Sequence, residues 1–185
     1  IKRIALHNSM EAAVKNVDIV IEAASEKLEV KKYIFSQLVE ICSKDTILAS
    51  NTSVIPITDI ASELNDEDAK RVVGTHFWNP PYLIPLVEVI PGNRTNTTTV
   101  ETALKLLTSV GKKAVAIKQD VVVGNRLQHA LWREAIAMVD QGICDAETVD
   151  SIVKNTLGIR LKVLGPLENA DLIGLELTKD IHDVV

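Results

Sequence analysis

Cysteine, tryptophan and long apolar runs are all scarce in this chain, and each scarcity removes a class of protein. The 185 residues include two cysteines, Cys42 and Cys144. They stand alone, without metal-ligand spacing, and read as ordinary small core residues of a reducing compartment rather than as a disulfide. No apolar run reaches the roughly 18 residues of a membrane-spanning helix. The opening, "IKRIALHN", lacks the charged, apolar and small-residue regions of a secretion signal. The expected address is cytoplasmic, and the sequons at Asn51, Asn93 and Asn96 are then chance matches.

Basic charge is short too. Lys and Arg number 20 against 25 Asp and Glu, with no basic stripe, which argues against nucleic acid as a partner. No His, Asp and Glu cluster has metal-ligand spacing, so no metal is expected. A G-x-G-x-x-G turn, whose backbone amides hold the pyrophosphate of a dinucleotide at a helix N-terminus, is absent. What remains, 46% apolar and 24% charged, is globular material for one or two small domains.

Short Val- and Ile-rich runs recur at 18–21, 46–49, 71–73, 86–90 and 114–117 and predict strands buried on both faces. Helical periods lie between them. Asn8 and Glu11 resemble a capping box. Leu28, Phe35, Leu38 and Cys42 form one face of a helix ending near Ser43, and the segment from Thr97 to Val110 closes at Gly111. Strands alternating with helices predict a mostly parallel sheet with helices packed on it. After Lys118 the pattern changes. Leu127, Ala130, Leu131, Ala135, Met138 and Val139 form the stripe of a long helix running to Gly142, and a second helix spans about 145–158. The expected domains are therefore 1–118 and 119–185, the second all-helical.

Three polar clusters follow strands or open helices: Ser50-Asn51-Thr52-Ser53, His76 to Asn79, and Asn125-Arg126. If all strands point one way, the first two emerge at one edge, where α/β proteins bind ligands. Such runs also serve as ordinary turns and caps. Glu88 is more telling, because it sits among Leu86, Val87, Val89 and Ile90, and a lone buried carboxylate costs several kcal/mol. His76 is its natural partner. A carboxylate on one imidazole nitrogen fixes the tautomer and raises the basicity of the other, which makes a general base for a hydroxyl proton.

Taken together, Glu26…Lys31, S-N-T-S, H-F-W-N-P, L-V-E-V-I, G-N-R-L and Gly165-Pro166-Leu167-Glu168 resemble the L-3-hydroxyacyl-CoA dehydrogenase family over nearly the whole chain. The resemblance implies an α/β fold, with a partial Rossmann-type parallel sheet domain followed by an all-α, 6-phosphogluconate-dehydrogenase-like C-terminal domain. It implies NAD as cofactor, His76 and Glu88 as the catalytic pair, and Ser53 and Asn125 as ligands of the substrate oxygen at a site between domains. It places Glu26, Lys31, Ser53 and Asn79 at the nicotinamide half of the cofactor. A homodimer through the helical domain is expected, acting on a small-molecule substrate.

Against that family the chain is expected to be truncated at both ends, and with the glycine-rich half of the cofactor domain missing it is expected to bind NAD poorly or not at all. The segment 157–166, with Arg160 and Lys162, is closer, together with Pro81, Pro85 and "NRLQ", to lambda-crystallin-like relatives that oxidise free hydroxy acids such as gulonate and carnitine. Arg160 is suited to hold a free carboxylate in a bidentate pair, and is equally suited to an exposed surface. The expectation is oxidation of a 3-hydroxyacyl-CoA, with a free 3-hydroxy acid or a non-catalytic structural role as alternatives.

Overall fold

Residues 3–184 are described by a computed structural model of the chain. In order, its elements are α1 (Met10–Ala13), β1 (Ile19–Glu22), α2 (Leu28–Ile41), β2 (Ile47–Ser50), α3 (Ile57–Ile60), α4 (Asp66–Ala69), β3 (Val72–Phe77), β4 (Leu86–Pro91), α5 (Thr97–Ser109), β5 (Lys113–Ala116), α6 (Val123–Asp140), α7 (Ala146–Asn155), α8 (Leu157–Arg160), α9 (Pro166–Ile173) and α10 (Leu175–His182). The chain divides into two compact units, residues 1–126 and 127–185.

The apolar runs of the first unit become one sheet in the order β1-β2-β3-β4-β5. Strands β1, β2 and β3 are parallel, and β4 pairs with β5 in parallel, but β3 and β4 are antiparallel. The sheet is thus mostly parallel, as expected, with β3–β4 as the antiparallel pairing. The cause is local. Residues 78–85 are the entire connection between β3 and β4, too short for the crossover of a dozen or more residues that parallel neighbours need.

Side chains alternate across the sheet. On one face Leu48, Val72 and Ile90, with Val20, pack against Phe35, Leu38 and Val39 of α2. On the other, Ile47, Ala49, Val73, Val87 and Val89 pack against Ala103 and Leu107 of α5. Burying each such side chain stabilises the fold by about 1.5–3 kcal/mol. The expectation of strands buried on both faces holds for β2 and for the middle of β3 and β4, whereas β1 and β5 are edges with Ile21 and Val115 exposed.

Local signals place the helix ends. Ser9, rather than Asn8, caps α1 by accepting the Ala12 N–H at 3.3 Å. Asn96 caps α5 through the Thr99 N–H, and Gly111, at φ 84°, takes the left-handed turn beyond it. The start of α3 is capped from far along the chain, since the Asp120 carboxylate accepts the Ile57 and Thr58 N–H groups at 2.8 and 2.7 Å. That contact helps explain why residues 119–126 belong with the sheet, so that the units divide inside α6 rather than after Lys118.

The second unit is helical, as expected. Asp145 caps α7, and the Glu168 carboxylate accepts the Gly165 N–H beside Pro166 at the start of α9. The α6 stripe forms but is not enclosed. Leu127, Leu131 and Val139 are exposed, and Val149 is the one buried residue of this unit among those described. Cys42 is buried in the first unit as expected, while Cys144 is only partly so. Among the described residues no helix is long and apolar enough to cross a membrane.

Among the described residues one buried side-chain polar atom lacks a partner. Thr75 lies on the same sheet face as Val73, fully buried, and its Oγ1 makes no hydrogen bond. Thr75→Val keeps the branched shape and removes that unmet demand, so it is expected to stabilise the protein by about 1 kcal/mol. Urea denaturation checks this. A lower midpoint for the variant would contradict it.

Candidate active site

Because β1, β2 and β3 are parallel, their carboxyl ends share one edge of the sheet. At that end the apolar face gives way to polar side chains: Glu22, Ser50 and His76 continue the alternation of Val20, Leu48 and Val72. The antiparallel register adds a fourth, since His76 lies directly opposite Glu88. Side chains directly opposite on neighbouring strands meet.

They do so here, with His76 Nδ1 3.1 Å from Glu88 Oε2. The pair is interior, His76 being 4% and Glu88 2% exposed. Burial pushes the Glu88 carboxyl up, but hydrogen bonds from His76, the Gly124 N–H and the Trp78 indole outweigh it and hold the group below its ordinary value. Gly124 N donates to Oε1 at 3.0 Å and Trp78 Nε1 donates to Oε2 at 3.3 Å. An ionised carboxylate only accepts hydrogen bonds, so Nδ1 carries the ring proton and Nε2 keeps its lone pair.

A second charged knot braces the neighbouring loop. Lys31 lies on the buried face of α2, four residues before Phe35 and 1% exposed. Its ammonium sits 2.9 and 3.0 Å from the Glu22 oxygens and 3.3 Å from Glu26 Oε2. Glu26 Oε1 in turn accepts Thr52 Oγ1 at 2.6 Å, Ser53 N at 2.8 Å and Val54 N at 3.0 Å. Burial raises the Glu26 carboxyl, and the Thr52 hydroxyl, the Val54 and Ser53 amides and Lys31 together bring it below its ordinary value. Lys31 is thus an enclosed cation that acts on the edge through Glu26.

The S-N-T-S loop meets the other clusters. Asn51 Oδ1 accepts the Phe77 N–H at 2.9 Å, joining the loop to the end of β3. Asn125, on the first turn of α6, donates from Nδ2 to the Ser53 backbone oxygen at 2.8 Å. The Ser53 hydroxyl has no hydrogen-bond partner among the described residues and, like Asn125, is partly exposed, while Asn79 is exposed. All four residues of the expected catalytic set, His76, Glu88, Ser53 and Asn125, lie in the first unit. Arg160 belongs to the second unit, exposed and paired with no carboxylate among the described residues.

Sequence reasoning placed Asn51, Trp78 and Gly124 within its clusters and motifs without giving them a role, and it missed Glu22 altogether. Glu22 had a readable signal, because a lysine on the apolar face of a helix demands a buried anion. A surface cleft of about 860 Å3 lies elsewhere, lined by residues such as Pro91, Asn93, Thr95, Lys118 and Gln119. It follows the end of β4 and has none of the paired groups described above.

The depressed Glu26 carboxyl fixes a sign for pH. Its stabilisation is complete above the ordinary value of 4.5 and is lost as pH falls through the lower folded value. At pH 7, Glu26→Gln is therefore expected to unfold at lower urea than the unaltered protein. That gap should narrow as acid protonates Glu26, and a gap that does not change with pH would contradict the assignment.

Comparison with known proteins places this geometry. Residues 1–121 match the family model for the 3-hydroxyacyl-CoA dehydrogenase NAD binding domain, and residues 122–185 match the C-terminal domain of the same family. The chain is 38% identical over 171 residues, 91% of its length, to a 5-formyl-3-hydroxy-2-methylpyridine 4-carboxylate 5-dehydrogenase of Mesorhizobium japonicum. It is 38% identical over 94% of its length to an L-carnitine dehydrogenase of Streptomyces griseus, and 40% identical over 100% to a probable 3-hydroxybutyryl-CoA dehydrogenase of Bacillus subtilis. It spans 55%, 52% and 63% of those three proteins.

Among solved structures, a crystal structure of a 5-formyl-3-hydroxy-2-methylpyridine 4-carboxylic acid 5-dehydrogenase superposes with a TM-score of 0.90 at 36% identity, over 96% of this chain and 57% of that one. A 3-hydroxyacyl-CoA dehydrogenase from Archaeoglobus fulgidus superposes with a TM-score of 0.81 at 37% identity, over 88% and 56%. With both family models matched end to end, the chain belongs to the 3-hydroxyacyl-CoA dehydrogenase family.

Proposed function

We propose that the complete protein oxidises the 3-hydroxyl of an L-3-hydroxyacyl-CoA to the 3-keto product, with His76 as general base and Glu88 as its partner. The observation that carries this reading is the buried contact between Nδ1 and Oε2. NAD is the cofactor of the family, and its nicotinamide accepts the hydride when bound. The residues present suit that half of the cofactor. Ser53 keeps a hydroxyl without a partner among the described residues and Asn79 is exposed, both just beyond parallel strand ends, where such ligands collect. Glu26 would join them, braced by Lys31.

His76 Nε2 takes the hydroxyl proton as the C3–H bonding pair departs, and the C3–O bond becomes a carbonyl. Glu88, held ionised, stabilises the imidazolium that forms. Ser53 Oγ and the second Asn125 amide proton, the first being used on the Ser53 carbonyl, hold the reacting oxygen. The depth of the pair keeps bulk water from the proton transfer.

A free 3-hydroxy acid is the second reading. It is supported by similarity to an L-carnitine dehydrogenase and by an Arg160 guanidinium that is exposed and paired with no carboxylate among the described residues. Turnover of 3-hydroxybutyryl-CoA against free 3-hydroxy acids separates the two. The exposed apolar side chains of the second unit, such as Leu131, Trp132 and Ile136, support a homodimer through that unit. Sedimentation of the complete protein is expected to give twice the chain mass, and a monomer at micromolar concentration would contradict it.

In the complete protein, His76→Gln is expected to lower kcat by roughly a hundred- to ten-thousand-fold, the usual contribution of a general base, with KM little changed. Steady-state kinetics check this. A variant turning over at the native rate would remove the mechanism.

A further inference from the structure

Glu88 Oε2 has two donors, and the proton-transfer scheme uses only one of them. The other is the Trp78 indole N–H, whose ring also stands edge-on to the imidazole, centroids 5.3 Å apart at 70°. The indole in turn lies against Gly124. A Cβ added there would fall 2.3 Å from Trp78 Cζ2, so any side chain at that position expels the indole. The same Gly124 donates its N–H to Glu88 Oε1.

We infer that Trp78 is a positioning residue for His76: its indole N–H shares Glu88 Oε2 with His76 Nδ1, and Gly124 provides the room it needs. The inference rests on the reading of His76 as the base. By taking part of the electron density of Oε2, the indole limits how strongly the carboxylate favours the imidazolium over the neutral ring. The edge-on ring restrains the imidazole plane as well.

Other charges nearby are engaged elsewhere. Glu22, on the same face two strands away, is paired with Lys31. Lys112 lies over the Phe77 ring with its ammonium on the Pro81 and Ile84 carbonyls. Asp120 accepts the amides that open α3. His76 is the one ionisable side chain hydrogen-bonded to Glu88 among the described residues.

The test is Trp78→Phe in the complete protein, read two ways. The acid limb of kcat/KM and the NMR titration midpoint of the His76 ring are both expected to move up by about half a pH unit or more, with the rate restored by raising the pH. Gly124→Ala, which displaces the indole, should move both the same way. In the unaltered protein the Trp78 indole N–H resonance should follow the His76 titration. A rate lowered equally at every pH with an unmoved midpoint, or an indole resonance blind to that titration, would overturn the inference. Should His76→Gln prove fully active, the mechanism falls, yet the ring midpoint in Trp78→Phe still reads the Trp78 contact.

Discussion

An ionised carboxylate buried beside a β-strand core costs several kcal/mol unless donors replace the water it gives up. Glu88 meets that demand with three: an imidazole from β3, an indole from the segment after it, and a backbone amide from the first turn of α6. Each donor arrives from a different part of the chain, so satisfying one group fixes three elements against each other. The same contacts set the tautomer. They keep Glu88 ionised, which puts the ring proton on Nδ1 and leaves Nε2 as the basic nitrogen.

The second knot, Lys31 between Glu22 and Glu26, does for the neighbouring loop what Glu88 does for the histidine. Buried ion pairs contribute little net stability compared with apolar packing of the same volume, but breaking one is costly. Their effect here is on shape. Glu26 collects a hydroxyl and two amides of residues 52–54, so the loop that carries Ser53 is set by electrostatics rather than by its own turn preference. Asn51 and Asn125 then tie that loop to the end of β3 and to α6. The sheet supplies position, and the two charged clusters supply orientation.

Much of this was legible in the sequence where a single side chain carried a physical demand. Glu88 among Val and Ile required a partner, and His76 was there. The five strands were legible from their Val and Ile runs, and the long helices from their stripes and glycine stops. The direction of β4 was not read, because a buried strand looks the same in either direction; the brevity of 78–85 was the available clue. The roles of Trp78 and Gly124 were not readable. A shared carboxylate oxygen and a missing Cβ depend on Trp78 meeting Glu88, 10 residues on, and Gly124, which lies 36 residues beyond Glu88, and nothing local in these segments announces it. The helical stripe of α6 was read correctly as a stripe, but periodicity cannot say what covers it.

The central claim is that Glu88 holds His76 in the tautomer with its proton on Nδ1. Nitrogen-15 NMR of the ring at a pH where the imidazole is neutral tests this most directly. A protonated Nδ1 and a bare Nε2 are expected, whereas a proton resident on Nε2 would contradict the account.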